Sequence, residues 1–230
     1  KIKNRKEDKN MELFDTHSHY NDEKFDKDRE QIIKETYEAG ITKFVCAGYN
    51  IESSQKAIEL SQKYEFIYSI CGISPNDIPQ SDQELWKDIE KITKIIKENK
   101  TNKLVAIGEI GLDYYWNKEN KELQTEAFIK QIDLANELNL PIVIHSRDAS
   151  VDTINVIKEH TVKKAGIFHC CQFNQEMIKQ ALELGYYISF AGPVTFKNSK
   201  NASDIVKLVP LDRILIETDS PYLSPEPNRG

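Results

Sequence analysis

The 230-residue chain has no apolar run long enough to cross a bilayer, for which a helix needs about 20 consecutive apolar residues. Nor does a charged, then apolar, then small-residue leader open it. Both absences point to a cytoplasmic protein with no membrane partner. Cysteine is scarce, with Cys46, Cys71, Cys170 and Cys171 and no Cys-x-x-Cys pair. A disulfide scaffold and a thiolate metal centre are disfavoured, and buried reduced thiols are expected. Positive charge is not in excess either: 31 Lys and Arg face 37 Asp and Glu, a net charge of -6. That excludes a protein that coats nucleic acid through a broad basic surface. It leaves room for an enzyme that grips phosphate through bound cations.

What is present has the balance of a soluble globular domain, 39% hydrophobic and 30% charged. The length suits one α/β barrel or two small domains, without staples. Residues 1–10 are polar, Lys-rich and aperiodic, and read as a disordered extension; the folded unit is expected over 11–230. From Met11 onward, short apolar runs alternate with helical patterns. The expected strands are 12–15, 43–47, 66–71, 104–107, 141–144, 166–168, 186–189 and 213–216. The expected helices are 26–39, 53–63, 83–99, 121–138, 149–160, 175–184 and a weaker 201–209. Ile89, Ile92, Ile95 and Ile96 show the spacing of one helix face. Strict alternation implies parallel strands with right-handed crossovers. Eight repeats favour a TIM (β/α)₈ barrel over an open sheet, with the last outer helix missing from this chain.

In such a barrel the active site gathers at the C-terminal strand ends. His17 and His19 follow the first run, and residues i and i+2 of a strand share a face. Glu109 follows the fourth run, His145 the fifth, His169 the sixth, and Glu217 with Asp219 the eighth. Singly, each has a plainer reading. Glu109 reads equally as a loop acid, Asp219 as a turn or cap residue, His145 and His169 as core histidines, and the His-x-His pair as chance. Jointly they fall on one rim. Four imidazoles and two carboxylates suit two divalent ions, Mg²⁺, Mn²⁺ or Zn²⁺. Ions about 3.5–4 Å apart need a bridging carboxylate and can clamp both oxygens of a phosphoryl displacement. Glu109 is the natural bridge.

Five stretches carry a resemblance: Phe14-Asp15-Thr16-His17-Ser18-His19, Gly108-Glu109-Ile110-Gly111-Leu112-Asp113-Tyr114, Pro141 to Arg147, Phe168-His169-Cys170 and Glu217 to Tyr222. In this order they resemble the TatD family of metal-dependent hydrolases. The resemblance implies a barrel metallohydrolase with deoxyribonuclease activity, often exonucleolytic from the 3′ end; single-stranded or frayed DNA ends are the expected substrate. It implies one ion held by His17, His19, Glu109 and Asp219, and another by Glu109, His145 and His169. Asp219 and Glu109 would serve catalysis, Asp219 by orienting or deprotonating water, with Glu217 behind the ligands. Two departures stand out. Gly72-Ile73-Ser74-Pro75-Asn76 replaces a His-Pro-His expected to touch phosphate, and the chain stops where the family continues into a further helical region.

Other residues are open to two readings. Arg147 either grips a phosphate or pairs with Asp148 or Asp113, and Lys197, after the seventh strand, either binds phosphate or is solvated. Asp148 is expected to cap the fifth helix. Tyr114, Tyr115 and Trp116 either stack unpaired bases or pack against a neighbouring loop. Three functions compete. The first is a two-metal phosphodiesterase acting on DNA. The second is an ester or amide hydrolase such as an aminoacyl-tRNA deacylase, disfavoured because Glu109 stands where many such enzymes carry a carbamylated lysine. The third is a weak metal binder without chemistry, lacking its last helix.

Overall fold

The structure is a computed structural model that describes residues 12–229. The expected extension over 1–10 lies outside the described residues. The elements alternate as the hydrophobic pattern implies. They are β1 (Leu13–Ser18), α1 (Arg29–Glu38), β2 (Ile41–Ala47), α2 (Ile51–Lys63), β3 (Ile67–Cys71), α3 (Asp82–Glu98), β4 (Leu104–Asp113) and α4 (Lys121–Leu138). Then come β5 (Ile142–Arg147), α5 (Ser150–Glu159), β6 (Ile167–Phe168), α6 (Gln175–Glu183), β7 (Tyr187–Phe190), α7 (Ala202–Val206) and β8 (Ile214–Ile216). The eight strands form one sheet in sequence order. Every ladder from β1–β2 through β7–β8 is parallel.

Strand alternation sorts side chains into two layers. Inside the barrel, Val45, Ala47, Ile70, Ala106 and Val143 pack together. Outside, Ile142, Ile144, Phe168 and Ile188 join the inward stripes of the helices, among them Ile92 and Ile96 of α3 and Phe128 and Ile132 of α4. The curled sheet comes together at its mouth. Asp219 N donates to His17 O (3.0 Å) and His19 N to Ser220 O (2.7 Å), while Thr16 Oγ1 donates to Ile216 O (3.0 Å). No helix follows β8 among the described residues, and Phe14 and Ile216 stand exposed beside this seam. Nor, among them, is any helix long and apolar enough to cross a membrane.

Three expectations are revised. The fourth strand does not stop at Ile107 nor the fifth at Ile144, because their ladder runs on through Gly111↔His145 and Asp113↔Arg147. The apolar signal ends there because the strands enter a polar mouth. The first helix, expected over 26–39, begins only at Arg29, and a separate 3-10 turn at Glu23–Phe25 lies ahead of it, the Asp22 side chain accepting from Lys24 N. Asp148 does not cap α5. The cap position is Ala149, and Asp148 turns the chain at φ +53 with its N–H donated to Gln172 Oε1.

Candidate metal centre

The site follows from the inward faces of β1, β4 and β5 and from the segments after β6 and β8. On β5, Val143 faces the barrel interior, so His145 and Arg147 continue that face toward the mouth. On β4, Ala106 faces inward, and a register irregularity between Ile107 and Ile110 brings Glu109 onto the same side, followed by Gly111 and Asp113. Gly111 is required there: its φ is +138, and a Cβ would stand 2.0 Å from His145 O.

Six of the expected residues meet. His17 Nε2 lies 3.3 Å from His19 Nε2, and Asp219 Oδ1 lies 3.1 Å from His19 Nε2 and 3.8 Å from His17 Nε2. His145 Nδ1 lies 2.8 Å and His169 Nε2 3.1 Å from Glu109 Oε1. The other Glu109 oxygen, Oε2, stands 3.5 Å from His17 Nε2 and 3.8 Å from His19 Nε2. Each Glu109 oxygen therefore addresses a different cluster.

The donor set fits cations. His19 Nδ1 donates to Ala47 O (3.0 Å), leaving the lone pair of Nε2 aimed at the carboxylate oxygens. His145 Nε2 donates to Asp113 Oδ2 (2.8 Å), leaving the Nδ1 lone pair facing Glu109. Acceptors thus converge on acceptors, an arrangement that positive charge between them relieves. Side-chain atoms of His17, His19 and Asp219, and of Glu109, His145 and His169, each gather within 4.8 Å.

Electrostatics agree. Burial alone would raise the Glu109 carboxyl, but His169, His145 and His17 outweigh it and hold it well below the usual carboxylate range. Burial would lower the imidazoles, yet Asp113 and Glu109 raise His145, and Glu109 with Glu217 raises His169 well above its ordinary value. His17, where burial dominates and His169 adds repulsion, is lowered. The cluster attracts one positive charge or another, and ion binding displaces the protons.

Sequence reasoning missed Asp113 as part of this site. Its side chain is fully buried, bound to His145 and, through Oδ1, to the N–H groups of Tyr115 and Trp116 (both 2.9 Å). It sits four residues after Glu109, an even strand spacing that would have placed both on one face had the strand been carried past Ile107. Glu217 is also buried, accepting from Cys170 N at 2.7 Å and lying 3.4 Å from His169 Nδ1. Asn76, in place of the expected histidine, donates to Asp113 Oδ2 (3.3 Å). Ser74 donates to Asp77 Oδ2 (2.8 Å), and both line the cavity.

The cluster opens into a cavity of about 810 Å³ whose wall includes Tyr49, Trp116, Arg147, Phe196 and Tyr222. Arg147 pairs with neither Asp148 nor Asp113; its guanidinium lies 3.9 Å over the Tyr115 ring. The aromatic run divides. Tyr114 is buried and donates to Asp152 Oδ2 (2.9 Å), while Tyr115 and Trp116 face solvent. Lys197 is exposed, and Pro193, Phe196, Asn198 and Ser199 form the wall at its loop. All four cysteines are free, three of them buried.

Residues 14–230 match the family described as TatD related DNase. The chain is 42% identical over 222 residues to an uncharacterized metal-dependent hydrolase of Bacillus subtilis, covering 95% of this chain and 84% of that one. It is 33% identical to a human deoxyribonuclease, covering 93% of this chain and 80% of that one. With a 3′-5′ ssDNA/RNA exonuclease, TatD, of Escherichia fergusonii it shares 32% identity, again over 93% and 80%. The solved structure of a TatD homologue from Escherichia coli K12 superposes with a TM-score of 0.88 at 25% identity, covering 95% of this chain and 83% of that one. With the barrel and its ring of imidazoles and carboxylates, these matches identify the chain as a metal-dependent hydrolase that belongs to the TatD related DNase family.

Proposed function

We propose that this hydrolase cleaves phosphodiester bonds of DNA in the cytoplasm, removing nucleotides from the 3′ end of single-stranded or frayed substrates with two divalent ions. The observation that carries the reading is the division of Glu109, one oxygen toward His17 and His19 and the other toward His145 and His169. In this reading His17, His19, Asp219 and Glu109 hold one ion, and Glu109, His145 and His169 the other. Bound there, the ions would neutralise phosphate oxygens and make water a nucleophile at neutral pH.

The chain's own residues supply the rest. Asp219, held below the usual carboxylate range by His19 despite its burial, is ionised and accepts the proton of the attacking water. Asp113 and Ala47 O fix which imidazole nitrogen faces the centre at His145 and His19. Arg147 donates to a phosphate oxygen from the cavity wall. The relatives named as a deoxyribonuclease and a 3′-5′ exonuclease support phosphodiester over acyl substrates.

End-labelled oligonucleotides incubated with Mg²⁺ or Mn²⁺ test the reading. Stepwise shortening from the 3′ end is expected, with Asp219→Asn slower by roughly 10²–10⁴-fold, the range for a lost general base. Intact oligonucleotides, or faster turnover of acyl esters and aminoacyl-tRNA, would overturn it.

A further inference from the structure

We infer that Trp116, Tyr115 and Arg147 form a binding site for one unpaired nucleobase and its adjoining phosphate at the cavity mouth. The inference deepens the DNA reading above and rests on it. Trp116 is 68% exposed and Tyr115 49% exposed. Two large rings left in water beside a polar cluster are unusual for a loop whose third aromatic, Tyr114, is buried.

The exposure is built in rather than incidental. Asp113 Oδ1 accepts both the Tyr115 and the Trp116 N–H, so a buried carboxylate pins the turn that presents the rings. The rings meet edge to face, with centroids 4.8 Å apart at 90°. Arg147 lies against them, 3.9 Å from the Tyr115 centroid and 5.4 Å from that of Trp116. Its side chain makes no hydrogen bond or ion pair among the described residues, so its fork of donors is available. Trp116 and Arg147 line the same cavity as Glu109, His145 and His169.

That combination selects a ligand class. An exposed indole face accepts any base by stacking, without reading its edge, and a guanidinium beside it matches a phosphate bidentately. A base inside a duplex keeps both faces covered by its neighbours, and only the terminal pair leaves one face open, so a duplex offers Trp116 far fewer faces than a single strand. The site therefore favours single strands and frayed ends, and does so without base preference.

The chain has two tryptophans, Trp86 and Trp116, so a Trp86→Phe enzyme reports on Trp116 alone. Titrating it in EDTA with a single-stranded oligonucleotide should quench the fluorescence saturably, and a duplex of the same sequence should do so weakly. In Mn²⁺, Trp116→Ala should raise KM for the single strand roughly ten- to a hundredfold, in line with the loss of one stacked base, with kcat little changed and Trp116→Phe recovering most of the loss. On an oligonucleotide with abasic residues at its ends, Trp116→Ala and the parent enzyme should have matching KM. Should the parent enzyme cleave single strands while Trp116→Ala keeps its KM and no quenching occurs, the base site does not exist and the nuclease reading stands. Failure of the parent enzyme to cleave any oligonucleotide would remove both.

Discussion

One oxygen of the Asp113 carboxylate, Oδ2, sits 2.8 Å from His145 Nε2, and the other, Oδ1, gathers the backbone N–H groups of Tyr115 and Trp116. A single buried side chain thus orients a member of the imidazole cluster and shapes the loop at the cavity mouth. Burial would raise its pKa, but His145 and the Trp116 N–H outweigh that and lower it, so the carboxylate is charged. Asp113→Asn keeps the shape and can turn its amide N–H toward His145, favouring the wrong tautomer. Mn²⁺ affinity, measured by calorimetry, should fall roughly 10–100-fold, the usual effect of losing a carboxylate behind a metal-bound histidine. Unchanged affinity would show that the contact is idle.

Gly111 tests the packing of β4 against β5. A methyl group there would meet His145 O at 2.0 Å on a backbone with φ +138. Gly111→Ala should cost at least about 1–3 kcal/mol of strain, lowering Tm by roughly 2–12 °C for a chain of this size, and should weaken ion binding by displacing His145. Calorimetric melting with and without Mn²⁺ reads both effects, and a variant that melts and binds as the parent does would contradict the close approach.

The barrel was legible because eight apolar runs alternate with amphipathic stretches, and Phe168 or Ile188 on a strand needs only burial to announce itself. The histidines were legible because each follows such a run. What escaped notice follows one rule: at the mouth, strands continue while their residues turn polar. Asp113 lies within β4 but beyond the run expected as its strand, and although Glu109 was legible as a ligand, an irregularity in the ladder, invisible in the sequence, decides that it shares a face with Ala106. For Arg147 the sequence offers a phosphate or a pair with Asp148 or Asp113, and the acid pairing does not form. Its partner is the Tyr115 ring on the preceding βα loop, a contact made only when β4 and β5 lie side by side.

The thiols yield a prediction independent of the metal. Burial pushes the Cys46 thiol up to about 12 and Cys71 higher still. Only the thiolate is nucleophilic, so at pH 8 both should resist iodoacetamide until the protein unfolds. Peptide mapping after brief native alkylation checks this, and rapid native labelling of Cys46 or Cys71 would mean that the β2 and β3 layer opens readily.

Ions that bind the folded centre alone must stabilise it. At 100 times its dissociation constant a ligand adds about 2.7 kcal/mol, worth roughly 5–10 °C in a chain of 150–250 residues. Mn²⁺ should raise Tm by that amount over EDTA. The gain should vanish in Glu109→Gln, whose side chain presents one oxygen and one amide to the two clusters. An equal gain in that variant would place the ion elsewhere.

Anomalous scattering from crystals soaked in Mn²⁺ tests the shared role of Glu109 most directly. Two peaks are predicted, one bounded by His17, His19 and Asp219 and the other by His145 and His169, with one Glu109 oxygen directed to each. A single peak, or two peaks that leave Glu109 out of contact, would contradict the account.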